Sequence, residues 1–227
     1  VGALAGWIVE RALMRPLYAG YASWGLMRDE YAVVVTFAFS LLLVHLVDKV
    51  VGPYPARGQP LVEATRIALG PVMMSGQKLI ATGVGAALLA ATALAIRYST
   101  WGREIRAVAQ NRLGASLAGI DTARASSIVF TISGALAAVA GALLAPIINA
   151  SPDVGAFPAV KSYVIVVLGG MGSMPGSIVA SLALGVLESF GAVHVSYDYR
   201  DTFGLVILVL VLLFRPQGLF GERGRLV

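Results

Sequence analysis

Residues 102–121 read GREIRAVAQNRLGASLAGID, a polar and basic insert between two long apolar segments. Arg103, Arg106 and Arg112 lie within it, and Arg124 follows three residues beyond its end. A polar insert of this length has to leave the hydrocarbon, and its basic charge places it on the cytoplasmic side of a membrane. Ala107, Gly114, Ala115, Ala118 and Gly119 are small enough to let another surface come close, while Gln110 and Asn111 offer directed hydrogen bonds. The stretch therefore reads as a cytoplasmic docking element for a partner that drives the membrane part. On a helical wheel Ile105, Val108, Ala109, Leu113, Leu117 and Ile120 share one arc, into which Arg106 and Arg112 intrude. Gly114 inside a helix costs about 1 kcal/mol against alanine, so one helix and two short helices both fit. An amphipathic connector lying on an anionic bilayer surface is the competing reading.

The composition around that insert sets the class. Of 227 residues, 58% are hydrophobic and only 13% charged, and the mean hydropathy is +0.82. Soluble domains run nearer one quarter charged, so this chain takes the bilayer as its solvent. The net charge of +5 and pI near 9.7 could suit nucleic acid. Here, however, the basic residues sit between apolar spans, the positive-inside pattern, and no nucleic-acid partner is expected. With no cysteine and two histidines, thiolate chemistry is excluded, and neither a metal site nor a cofactor is expected.

The chain opens on VGALAGWIV, which reads as the tail of a helix already in the membrane; it lacks the charged start of a signal peptide. Further membrane segments are therefore expected ahead of Val1. Residues 10–30 read as a polar connector with Arg11, Arg15 and Arg28, followed by a span over 31–47. His45 near its end reads as a snorkelling side chain rather than a ligand. Residues 52–78 read as a loop punctuated by Pro and Gly, 79–96 as a span, and 125–145 as another. In the last of these Gly134, Ala138 and Ala142 recur every four residues, a close-packing face.

The prolines and Asp153 of residues 146–158 argue for a loop. Residues 161–193 would make a single helix of roughly 50 Å at about 1.5 Å per residue, too long for a bilayer core of about 30 Å. GGMGSMPG (169–176) interrupts them, so a pair of short helices meeting at an irregular turn is expected. Gly169, Gly170, Gly172, Ser173 and Gly176 are candidates for the translocation pathway, because broken helices offer amides to a zwitterionic solute. A tight turn at the membrane edge is the alternative. No lysine follows these glycines and no soluble strand precedes them, which argues against a phosphate loop. Glu188 is the ionisable residue that lies within a span, a pathway candidate or a helix-end anchor. His194, Ser196, Asp198 and Asp201 read as a solvated loop rather than a hydrolase site. A short span over 202–214 and a basic tail complete the chain. With alternating spans, eleven of the seventeen basic residues share the side of the Arg-rich insert and the C-terminus. That bias places both in the cytoplasm if 161–193 crosses an even number of times.

Four stretches together carry a family resemblance. WGREIRAVAQNRLGASLAGID (101–121), the small-residue span behind it, VVLGGMGSMPGSIVASLALGVLES (166–189) and RPQGLFG (215–221) resemble the membrane permeases of branched-chain amino acid ABC importers. VERALMRPL (9–17) is similar to the polar connector of that family. The resemblance implies an all-α, polytopic transmembrane bundle, a single permease domain over 1–227 lacking its N-terminal membrane segments. It implies that the loop around Arg106, Ala107, Asn111, Ala115 and Gly119, with Arg103 and Gln110 beside them, is a coupling loop at 102–121. That loop would meet cytoplasmic ATP-binding subunits, so the chain itself would not be an enzyme. A second permease subunit, identical or homologous, and a soluble substrate-binding protein would complete the complex in a bacterial or archaeal inner membrane. An ion-coupled secondary transporter or channel is the alternative function, and would need buried ionisable groups for its ion.

Overall fold

In the computed structural model, residues 1–16, 28–52, 54–55, 58, 66–69, 72–170, 172–194, 196, 199–215 and 217–221 are described. Residues 17–27 of the connector, Arg57, Met171, Asp198, Arg223 and Arg225 lie outside them, and Arg28, Arg66, Arg200 and Asp201 are described by backbone alone. The chain divides into two compact units, Val1–Val154 and Gly155–Val227.

The first unit begins with helix α1 (Gly2–Val9), which runs on as a π-helical turn over Glu10–Met14. It continues with α2 (Arg28–Val51), an antiparallel hairpin of β1 (Arg66–Leu69) and β2 (Val72–Ser75), and α3 (Gly76–Tyr98). Next come two short helices, α4 (Thr100–Gln110) and α5 (Arg112–Leu117), then α6 (Thr122–Ile148). The second unit holds α7 (Ala156–Gly169), α8 (Met174–His194) and α9 (Arg200–Phe214). Among the described residues, Val33–Val51, Gly76–Tyr98, Thr122–Ile148 and Met174–His194 are long and apolar enough to cross a bilayer. The expected all-α membrane bundle is observed, with the small hairpin as an addition inside residues 52–78.

In the first unit α1 lies along α6, and the contact is backbone on backbone. A Cβ on Gly134 would sit 2.6 Å from the Gly2 carbonyl oxygen, and one on Gly6 would collide with the carbonyl of Phe130. Without a hydrophobic drive between helices in lipid, such small-residue seams let dispersion and backbone contacts hold a pair together. The expected close-packing face is thus occupied at Gly134 and Ala138. Contrary to expectation, Glu10 does not open a solvated connector: helix continues through it, and the residue is 3% exposed. Its Oε2 accepts a 2.8 Å hydrogen bond from Ser127 Oγ on α6, which offsets part of the cost of burial.

Residues 146–158 also differ from expectation. Pro146 lies inside α6, which runs to Ile148, and Pro158 sits in the first turn of α7. A first-turn amide has no intrahelical acceptor, so proline is tolerated there. One turn before Pro146, Gln77 Nε2 of α3 donates to the Leu143 carbonyl at 3.2 Å, a buried polar tie between α3 and α6.

The second unit shows the expected helix pair. Only α7, with 14 residues, is short; α8 has 21 and is long and apolar enough to cross a bilayer. The break falls at Gly170 (φ +98°) and Gly172 (φ +90°), a left-handed backbone that side-chain-bearing residues rarely adopt. Ser173 Oγ then caps α8 by accepting from the Gly176 amide at 3.2 Å. The RPQGLFG segment folds back onto this turn: the Leu219 amide donates to the Leu168 carbonyl at 2.8 Å, and Phe220 to Gly169 at 3.1 Å. The last carbonyls of α7 are thereby satisfied by chain from beyond α9, where helix ends otherwise leave them open.

Candidate functional site

Two places carry chemistry: the elbow formed by α4 and α5, and a charged pair between α7 and α8.

The elbow is built from caps. Ser99 Oγ accepts from the Gly102 amide at 2.9 Å, starting α4 directly after α3. Asn111 ends α4 and starts α5; its extended backbone (φ −153°) turns the chain, and its Oδ1 accepts from the Gly114 amide at 2.8 Å. Asp121 Oδ1 accepts from the amides of Ala123 and Arg124, both at 3.0 Å, and starts α6. Of the two arrangements open from sequence, two short helices are observed. Asn111→Ala removes a cap worth about 1 kcal/mol. Hydrogen exchange at the Gly114 amide should speed up roughly fivefold, with exchange in the middle of α6 unchanged.

The residues singled out from the sequence fall in different places on this elbow. Arg103, Arg106, Gln110 and Asn111 are exposed, and Ala107 is half-buried. Arg106 Nη2 reaches back to the Arg97 carbonyl at 3.3 Å, tying α4 to the end of α3. Ala115 is 5% exposed, turned into its own unit, and the Ile120 amide bonds its carbonyl at 3.0 Å. Gly119 is exposed with φ +82°, the position that lets α5 turn into α6. What the elbow offers outward is Leu113, 71% exposed, and Leu117, 82% exposed, one helical turn apart. The sequence placed both leucines on the apolar arc, but periodicity alone does not say whether that arc faces inward or outward.

Around the turn of the second unit, Gly169, Gly170 and Gly176 are buried, Ser173 is half-buried and Gly172 is exposed. The amides of Gly170, Ser173 and Gly176 are taken up by Val166, Gly170 and Ser173. Glu188 lies elsewhere, 14 residues along α8 from Met174, which is roughly 20 Å at about 1.5 Å per residue. Its side chain is 5% exposed, and its Oε2 pairs with Lys161 Nζ of α7 at 2.7 Å. Lys161 was missed as a site residue. Its signal is a lysine six residues into an apolar helix, which needs an acid within reach. A cavity of about 160 Å³ opens beside the pair, walled chiefly by aliphatic side chains. His194 stacks on Phe190 at 4.0 Å between ring centroids and makes a 3.1 Å contact to its carbonyl, a local arrangement at the end of α8.

The chain is similar to import permeases, chiefly those of branched-chain amino acids. Residues 1–213 match the family described as branched-chain amino acid transport system / permease component. The chain is 32% identical to the high-affinity branched-chain amino acid transport system permease protein LivH of Salmonella typhimurium, over 96% of this chain and 70% of that protein. It is 41% identical over 132 residues to the corresponding protein BraD of Pseudomonas aeruginosa, covering 57% of this chain and 42% of BraD. It is also 32% identical over 124 residues to the fructose import permease protein FrcC of Rhizobium meliloti, covering 52% of this chain and 34% of FrcC. No solved structure matches. With its apolar helices long enough to span and a match running from the first residue to residue 213, within the last helix, the chain is an integral membrane protein and belongs to the permease components of branched-chain amino acid ABC importers.

Proposed function

We propose that the chain translocates branched-chain or related amino acids, delivered by a soluble binding protein, and that cytoplasmic ATP-binding subunits drive it through the α4–α5 elbow. The carrying observation is the elbow itself: a capped, two-helix polar insert whose Leu113 and Leu117 are exposed rather than packed in their own unit. Exposed leucines on a short, rigid helix stabilise a complex by entering a partner's groove. ATP hydrolysis belongs to the partner. A second permease subunit, identical or homologous, completes the pathway in a bacterial or archaeal inner membrane. Co-purification tests the reading: the tagged permease should retain an ATP-binding subunit in detergent, and recovery of the permease alone would contradict it.

In this reading the C-terminus and the Arg-rich elbow face the cytoplasm. The basic bias supports this, as does the second unit, where the tail bonds to the glycine turn, so that turn and tail share one side when α7 and α8 are taken to cross and return. A reporter fused after Arg112 should read cytoplasmic, and one within residues 56–59 external. Both on the same side would overturn the assignment of spans. The ion-coupled alternative draws on the buried carboxylates Glu10 and Glu188, but Ser127 and Lys161 already engage them.

A further inference from the structure

The Lys161–Glu188 pair is more than close packing of α7 on α8 requires. A buried ion pair costs desolvation, and replacing one by apolar side chains of similar volume is often neutral or stabilising. Lys161 Nζ also lies 5.5 Å from the ring centroid of Phe157, so the ammonium is held on two sides while 30% of its side chain stays accessible. The adjacent cavity of about 160 Å³ is walled by Val160, Val164, Leu184 and Leu205. At about 30 Å³ per water it has the room of roughly five water molecules, the scale of a small solute rather than a peptide. Opposite the carboxylate stands Gly204, where a Cβ would lie 3.2 Å from Glu188 Oε1 and 3.4 Å from Leu184 Cδ1. A methyl at Gly204, which lines the cavity, would therefore crowd the carboxylate.

We propose that this cavity is a binding site for the zwitterion of a short aliphatic amino acid. The solute's ammonium takes the place of Lys161 at the Glu188 carboxylate, its carboxylate accepts from the Lys161 ammonium, and its side chain lies among the four aliphatic walls. The exchange is neutral overall: one ion pair separates and two form. A site with one fixed cation and one fixed anion beside an apolar wall discriminates against solutes lacking either charge, because a buried charge then loses its partner. The site lies well along α8 from the glycine turn. In the proposed orientation, that is the half of the membrane facing the binding protein. The inference rests on the proposed amino acid transport and adds the residues that contact the solute.

The test uses the reconstituted permease complex with its ATP-binding subunits and saturating binding protein loaded with leucine or alanine. Lys161→Met combined with Glu188→Leu replaces the pair by apolar side chains. If the pair only clips α7 to α8, complexes that assemble should carry leucine within twofold of the wild type, and that result overturns the proposal. If the pair binds the zwitterion, leucine uptake should fall at least tenfold in complexes that assemble. Gly204→Ala serves as the second variant, and decides alone if the double variant fails to assemble. It narrows the cavity beside the carboxylate and should lower the ratio of leucine to alanine uptake threefold or more. An unchanged ratio overturns the site. A wild-type complex that carries no aliphatic amino acid overturns the substrate reading and this site with it. Wild-type uptake with both variants unaffected removes the site alone.

Discussion

Gly134→Leu should abolish recovery of folded permease from the membrane. Gly134 packs on α1 with no side chain between the two backbones: its Cβ position is 2.6 Å from the Gly2 carbonyl oxygen and 2.9 Å from Gly6 Cα. A flexible neighbour could swing aside, but a helix backbone on the other side moves only as a unit. Overpacking in cores costs about 1–3 kcal/mol where side chains can adjust, and this seam sits at or above the top of that range. Separating α1 from α6 would also take Ser127 away from the buried Glu10 carboxylate and leave it without that hydrogen bond. Val139→Leu, on the same helix at a 39% exposed position, is the control and should shift stability by less than about 0.5 kcal/mol. The measurement is the monodisperse fraction after detergent extraction, followed by thermal unfolding. A Gly134→Leu protein extracted in normal yield with an unchanged melting temperature would show that the seam is not what holds the first unit.

Leu113→Glu combined with Leu117→Glu should release the ATP-binding subunit from an intact permease. Both side chains are largely exposed, so the change leaves the packing of α5 against its own unit in place. Neither residue caps the helix; that is done by Asn111. A leucine that fills a partner's pocket contributes at least about 2 kcal/mol when it acts as an interface anchor, and burying a carboxylate there adds a further cost. Affinity should therefore drop by at least about thirtyfold, with substrate-stimulated ATP hydrolysis falling in step. Ala115 is a poorer probe of docking than the leucines. It is buried in its own unit, so a larger side chain there disturbs α5 before any partner is involved. Unchanged pull-down and hydrolysis in the double variant would remove the elbow as the coupling element.

Much of this architecture was legible in the sequence because the bilayer enforces it. Spans have to be apolar and about 20 residues long, and the α2, α3 and α6 spans appear where hydropathy puts them. Their ends lie a few residues further out, since a cap such as Asp121 extends helix beyond the apolar run, as the first-turn tolerance for Pro158 does for α7. Pro146 misleads for a related reason: a proline near the C-terminal end of a long helix removes one hydrogen bond without ending it. The hairpin at 66–75 is marked only by the Gly70–Pro71 dipeptide between two apolar runs, a weak signal inside a polar stretch.

The site was legible in part. The elbow was legible as a polar insert that one helix or two would fit, and the Asn111 cap on the Gly114 amide is what makes it two. The clasp of residues 219–220 on 168–169 and the pairing of Lys161 with Glu188 join positions far apart in sequence, which periodicity does not reach. Glu10 shows the same limit. Beside Arg11 in sequence it reads as solvated, and only the approach of α6 buries it against Ser127.

ATP-driven import is the central claim, and its energy source can be measured directly. Proteoliposomes carrying the permease with its ATP-binding subunits receive leucine-loaded binding protein outside and ATP inside, with ion gradients collapsed by ionophores. Leucine should accumulate only when ATP is present, and at a rate the ionophores leave unchanged. Accumulation that needs an ion gradient and proceeds without ATP would contradict the account and favour an ion-coupled transporter.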